Sequence, residues 1–196
     1  MNEKTDLKPI TSKEEFLKAV DVAIEDFSEA LLETGGFPHF ILVIDAKGLI
    51  HPVNFDRMVD SAKIMTGLND IGRLKEIVYG SIAAGIKLAK MVGFLDVSEV
   101  WTIQDVNESV SIKDLVERHK AKDLGGVPGR REAIMVAGRY REHSRLVERP
   151  IRRLGEMPVL GDLRVIEGYG ASGRQGQLWA AVDEVLKGET GEDHEA

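Results

Sequence analysis

The sequence predicts an α+β fold: one domain with a mainly antiparallel sheet of about five strands and helices packed on it, in the order α-β-β-α-β-β-β-α. Three observations carry this. Apolar residues recur at helical spacing in three separated stretches. Strand-like segments follow one another without an intervening helix in the last third, which argues against a chain of βαβ units. No internal repeat or linker divides the 196 residues, a length that one hydrophobic core serves.

Each element has a local cause. Ser12 and Glu15 form an S-x-x-E capping box, and Phe16, Val20, Ile24, Phe27 and Leu31 continue the stripe until Gly35 and Gly36 stop it. FILVI (40–44) is a continuous apolar run of strand length, expected to be buried on both faces. After Asp45-Ala46-Lys47-Gly48 comes LIHPV, whose Pro52 marks an edge strand and completes a hairpin. Residues 55–66 are weakly helical. A stronger helix is expected from about Asp70 to Val92, ended by Gly93, before the alternating strand VSEVWTIQ (97–104). A short helix over 111–119 and a GGVPG loop follow. EAIMVAGRY, RLVERPIRR and DLRVIEGY then read as three strands, and a helix over Gln175 to Lys187 closes the domain. The domain is expected to span 1–188, with a flexible stretch at 1–11 and a disordered acidic tail at 189–196.

Composition narrows the setting. The chain contains no cysteine, which removes disulfides, thiolate metal sites and cysteine nucleophiles. No apolar run approaches the length of a membrane span and MNEKTDLKPITSKEE has no apolar h-region, so a cytoplasmic, membrane-free protein is expected. Net charge is −7, but ten of the eleven basic residues between 122 and 174 are arginine. An arginine-rich segment at 130–153 can face an anionic partner or the chain's own acidic ends. The intramolecular reading is preferred, because charge runs are usually solvated faces. Nucleic-acid binding is disfavoured by the acidic balance and the scarcity of interleaved aromatics, although the arginine-rich segment leaves it open.

Two resemblances accompany these readings. Pro128-Gly129-Arg130-Arg131-Glu132 followed by AIMVAG, downstream of a helix-strand unit ending in Trp101, resembles a group of phage and prokaryotic proteins that transfers no activity. It implies a phage or mobile-element origin. The order helix, hairpin, helix, three strands, helix is similar to the roadblock and profilin-type architecture, which implies a non-catalytic binding or dimerisation module.

Three constellations are candidates for chemistry. Asp45 and Lys47 at a strand end match the Asp-x-Lys pattern of metal-dependent nucleases, in which the carboxylate holds a divalent metal and the lysine stabilises developing charge. The plainer reading is hairpin punctuation. His39 and His51 straddle the same hairpin, so pairing of the strands would bring two imidazoles, with Asp45, into reach of a metal. Gly168, Gly170 and Gly173 form a literal G-x-G-x-x-G between a strand and a helix, with Arg174 as an added phosphate contact. No βαβ unit surrounds it, so an ordinary turn is preferred.

No self-consistent catalytic set emerges, and no cofactor is predicted. The leading expectation is a non-enzymatic interaction or accessory protein, acting on a protein partner or by self-association as a homodimer. The alternatives are a metal-dependent phosphodiester hydrolase using Asp45 and Lys47, and a nucleotide- or phosphate-binding module using Gly168 to Arg174.

Overall fold

A computed structural model describes residues 9–103, 130–155, 157–166 and 175–191. They form an α+β domain in which helices cover both faces of one sheet. The elements in chain order are α1 (Lys13–Thr34), β1 (Phe40–Ile44), β2 (Ile50–Asn54), α2 (Phe55–Thr66), α3 (Ile71–Leu88) and β3 (Gly93–Ile103). They continue with β4 (Arg130–Tyr140), β5 (His143–Leu154), β6 (Met157–Leu160), β7 (Arg164–Ile166) and α4 (Gln175–Gly191). The strand order is β2-β1-β3-β4-β5-β6, with β7 also on β5, and every pairing is antiparallel.

The alternation of the strands divides the core in two. Ile41, Val43 and Phe94 point to one face, where they pack with Phe55 and Val59 of α2, Leu74, Val78 and Ile82 of α3, and Leu178 and Val182 of α4. Ile44, Leu95, Val97, Ile134, Val136 and Val147 point to the other, where Phe16, Val20, Ile24 and Leu31 of α1 cover them. β1 is therefore apolar throughout because helices lie on both sides of it. Each fully buried large side chain contributes roughly 1.5–3 kcal/mol. The capping box at the head of α1 forms as expected: Glu15 N–H donates to Ser12 Oγ (3.2 Å) and Ser12 N–H to Glu15 Oε2 (3.1 Å).

Several boundaries differ from the sequence expectation. Ile10 is 1% exposed and its N–H donates to Gly48 O (2.8 Å), so residues 9–11 are anchored to the hairpin. α3 ends at Leu88, and Lys90 at φ 50° turns the chain so that Gly93 opens β3 instead of ending a helix. Glycine is required there for a different reason: a Cβ would lie 2.5 Å from Arg139 O on β4. Seven strands form instead of about five, because the four-residue β6 and the three-residue β7 together line the outer edge of β5. α4 runs to Gly191, so positions 189–191, expected in the tail, are helical. The helix expected over 111–119 lies outside the described residues.

Candidate functional site

The hairpin that carries Asp45, Lys47 and His51 is a closed turn. Asp45 Oδ1 accepts the N–H groups of Lys47 (2.8 Å) and Leu49 (2.9 Å), and its Oδ2 lies 3.0 Å from His51 Nε2. Gly48 takes the left-handed φ of 82°, donating its N–H to Asp45 O. Hydrogen bonding from His51 first, then from the Leu49 and Lys47 amides, holds the Asp45 carboxyl below the ordinary carboxylate range. Both carboxylate oxygens are thus occupied by the turn itself, the local hydrogen bonding that makes aspartate a turn former. Lys47 is exposed, and among the described residues no group of three His, Cys, Asp or Glu side chains could hold a metal ion.

Nor do the two histidines meet. His51 pairs with Val43 near the turn, whereas His39 precedes β1 at the opposite end, where its carbonyl accepts the Phe55 N–H. Four residues of strand, about 13 Å, separate their levels along the hairpin. The shared metal site expected of His39, Asp45 and His51 is therefore not assembled.

His39 belongs instead to a buried polar network absent from the sequence reading. Its Nε2 lies 2.6 Å from Asp96 Oδ1, and Tyr79 Oη donates to Asp96 Oδ2 (2.9 Å). Asp96 has no exposed surface, and the His39 ring rests against Phe55 with centroids 4.2 Å apart. His39 N–H also donates to Asp56 Oδ2 (2.9 Å). Asp96 ties the entry of β1 and the middle of α3 to β3, and His39 extends the network to the start of α2 through Asp56 and Phe55. A carboxylate-oriented imidazole is the pairing that general-base catalysis uses. The detectable signal was an aspartate inside the apolar run Gly93-Phe94-Leu95-Asp96-Val97, since a buried carboxylate needs partners.

The arginines divide into two groups. Arg145 reaches Asp21 (2.8 Å), and Arg149 grips Glu25 with both terminal nitrogens (2.5 and 2.7 Å) while also donating to Ser28 Oγ. The guanidinium of Arg149 holds the Glu25 carboxyl below its usual value. Arg139 bonds Asp183 and stands 4.9 Å over the Trp179 ring. These three pair with carboxylates of the acidic first and last helices, as the intramolecular reading expects.

The second group lines a groove of about 820 Å³ at the far end of the sheet, bordered by β4, β5, β6, the 161–163 loop and β7. Strand alternation and register place Arg131, Pro150, Arg152, Val159 and Arg164 on the sheet face opposite α1. Arg153 alternates to the other face and is held by Glu132 (2.7 Å) and Glu99 (3.1 Å). Arg164 reaches the buried Glu148 at 3.5 Å. Arg152 is exposed, one step beyond the last β4–β5 pair, Glu132 with Ile151. Gly168, Gly170, Gly173 and Arg174, the expected glycine-loop site, lie outside the described residues. No described helix is long and apolar enough to cross a membrane. Compared with known proteins, the chain matches no family model, no curated protein and no solved structure.

Proposed function

We propose that this protein is a non-enzymatic interaction protein whose contact surface is the outer edge of the sheet formed by β5, β6 and β7. One observation carries the reading. Leu154 and Met157 are each 68% exposed, and register places them with the exposed Val159 on one face beside Arg152. Contiguous exposed apolar side chains rimmed by charge are the composition of a protein-binding surface. Short edge strands, with Pro158 inside β6, limit indiscriminate strand pairing while leaving side chains available to a specific partner.

The partner is a protein chain, with self-association into a homodimer as the simplest form. The test is light scattering of the wild type and Met157→Glu, paired with affinity capture by both. An assembly or a captured partner lost on placing a charge at 157 supports the reading. A monomer at every concentration, with capture unchanged by the substitution, rejects it.

A further inference from the structure

We infer that the β1–β2 end of the sheet face beneath α1 is a docking surface for a basic amphipathic helix of a protein partner. One helix does not span that face. α1 packs on β4, β5 and β6 and its margin reaches β3, whereas the β1–β2 hairpin lies beside it. Register turns Phe40, Leu42, Ile50 and Pro52 towards this side, where all four are apolar yet Pro52 is exposed and the other three are only partly buried. On the opposite side of the same strand α2 and α3 bury Ile41 and Val43 almost completely. Two strands side by side are about 10 Å wide, the diameter of one helix, and five residues of strand run about 17 Å, or three helical turns.

Charge selects the occupant. At about 100° per residue, Asp21 and Glu25 fall on the flank of α1 that meets Arg145 and Arg149 of β5, and Asp26 and Glu33 fall on the flank towards β1. Ring contacts of Phe27 with Phe37 (4.9 Å) and Phe40 (5.8 Å) agree on which side β1 lies. Neither Asp26 nor Glu33 has an ion pair among the described residues. Partial burial, with nothing to offset it, pushes the Asp26 carboxyl above its usual range, a penalty that a cation delivered beside it removes. A helix with one apolar side and a row of lysine or arginine supplies both needs, lying in the groove between α1 and the edge of the sheet. A second copy of this chain is a poorer fit, because a net charge of −7 opposes joining two acidic flanks. The surface lies at the β2 edge, across the sheet from β6, so it stands apart from the reading of the β5–β7 edge.

Fluorescence anisotropy tests it, with the full chain titrated into a labelled peptide of about three to four helical turns, built of leucine and lysine so that one side is apolar and the other basic. Saturable binding of one equivalent is expected at low salt. A peptide of the same composition in permuted order, which has no apolar side, should bind at least tenfold more weakly. Asp26→Lys should weaken binding about fivefold, and 1 M salt should erase the difference from wild type. Pro52→Glu, which sets a charge under the apolar side of the peptide, should weaken it tenfold or more. Met157→Glu, at the opposite edge, should change nothing, so a failure here is separable from a failure of the edge reading. Circular-dichroism melts check the fold of each variant, and if Pro52→Glu does not fold, Asp26→Lys carries the test alone. No binding by the wild type, equal binding of the permuted peptide, an unchanged affinity in Asp26→Lys, or an equal loss in Met157→Glu overturns the inference.

Discussion

His39 Nε2 lies 2.6 Å from Asp96 Oδ1, joining the residue that precedes β1 to a carboxylate with no exposed surface in β3. Because Tyr79 Oη donates to the other oxygen, removing Asp96 takes one hydrogen-bond partner from His39 and one from the buried Tyr79. Asp96→Ala should cost about 1–3 kcal/mol or more, the penalty for taking the partner from a buried polar group. Tyr79→Phe, which removes one hydrogen-bond donor, should cost about 0.5–1.5 kcal/mol. Urea denaturation of the two variants measures both. A loss below about 1 kcal/mol in Asp96→Ala would show that the network does not hold the fold.

Asp45 and Glu25 make stability depend on acid. Each carboxyl is held below its ordinary value, by His51 and the turn amides for Asp45 and by Arg149 for Glu25. A group depressed on folding contributes stability above its unfolded value of about 4, and that contribution disappears as pH falls through the lower folded value. Melting temperature should therefore decline as pH drops from about 5 towards 2, and Asp45→Asn should flatten the decline. An identical pH profile for wild type and variant would remove Asp45 from this account.

Arg149 and Glu25 form a two-pronged pair at the surface of α1. A double-mutant cycle with Arg149→Ala and Glu25→Ala should return a coupling of about 0.5–1 kcal/mol. Raising salt to 1 M should shrink it, since exposed charges are screened at that strength.

Gly93 leaves no room for a side chain. A Cβ there would sit 2.5 Å from Arg139 O and 3.2 Å from Ile44 Cδ1, and the first of these is backbone. Gly93→Ala should destabilise by about 1–3 kcal/mol, the cost of forcing extra volume into a packed site. A melt within about 1 °C of wild type would contradict the close β3–β4 approach, since 1 kcal/mol moves the midpoint by several degrees.

Much of the fold was legible in the residues, and the reasons are local. Ser12 and Glu15 fix the start of α1, the unbroken apolar run at 40–44 marks a strand covered on both sides, and Pro52 marks β2 as an edge. What escaped depends on contacts distant in sequence. Met157–Leu160 carries a proline and is four residues long, so only its register against Ile151–Leu154 makes it a strand. The helical spacing of Ala89 and Val92 continued that of α3, yet Val92 N–H is taken by Ile44 O of β1.

The candidate sites show the same division. D-A-K-G matched a metal-binding pattern, but its oxygens close a turn, a choice between two local roles that spacing cannot decide. His39 was visible as an imidazole, while its partners Tyr79 and Asp96 stand 40 and 57 residues away in the chain. The three groove arginines were apparent as an arginine-rich stretch, but their gathering on one face follows from strand register alone.

The sheet order also dictates how the chain assembles. β4 meets β5 across a turn bounded by Tyr140 and His143, and β5 meets β6 across one bounded by Leu154 and Met157. Those ladders close short loops and can zip early, whereas β1 must find β3 across the span from Ile44 to Gly93, with two helices between. Loop-closure entropy makes that junction costlier to form than the two hairpin ladders. Joining the N-terminal hairpin to the rest of the sheet should therefore follow the closing of those ladders.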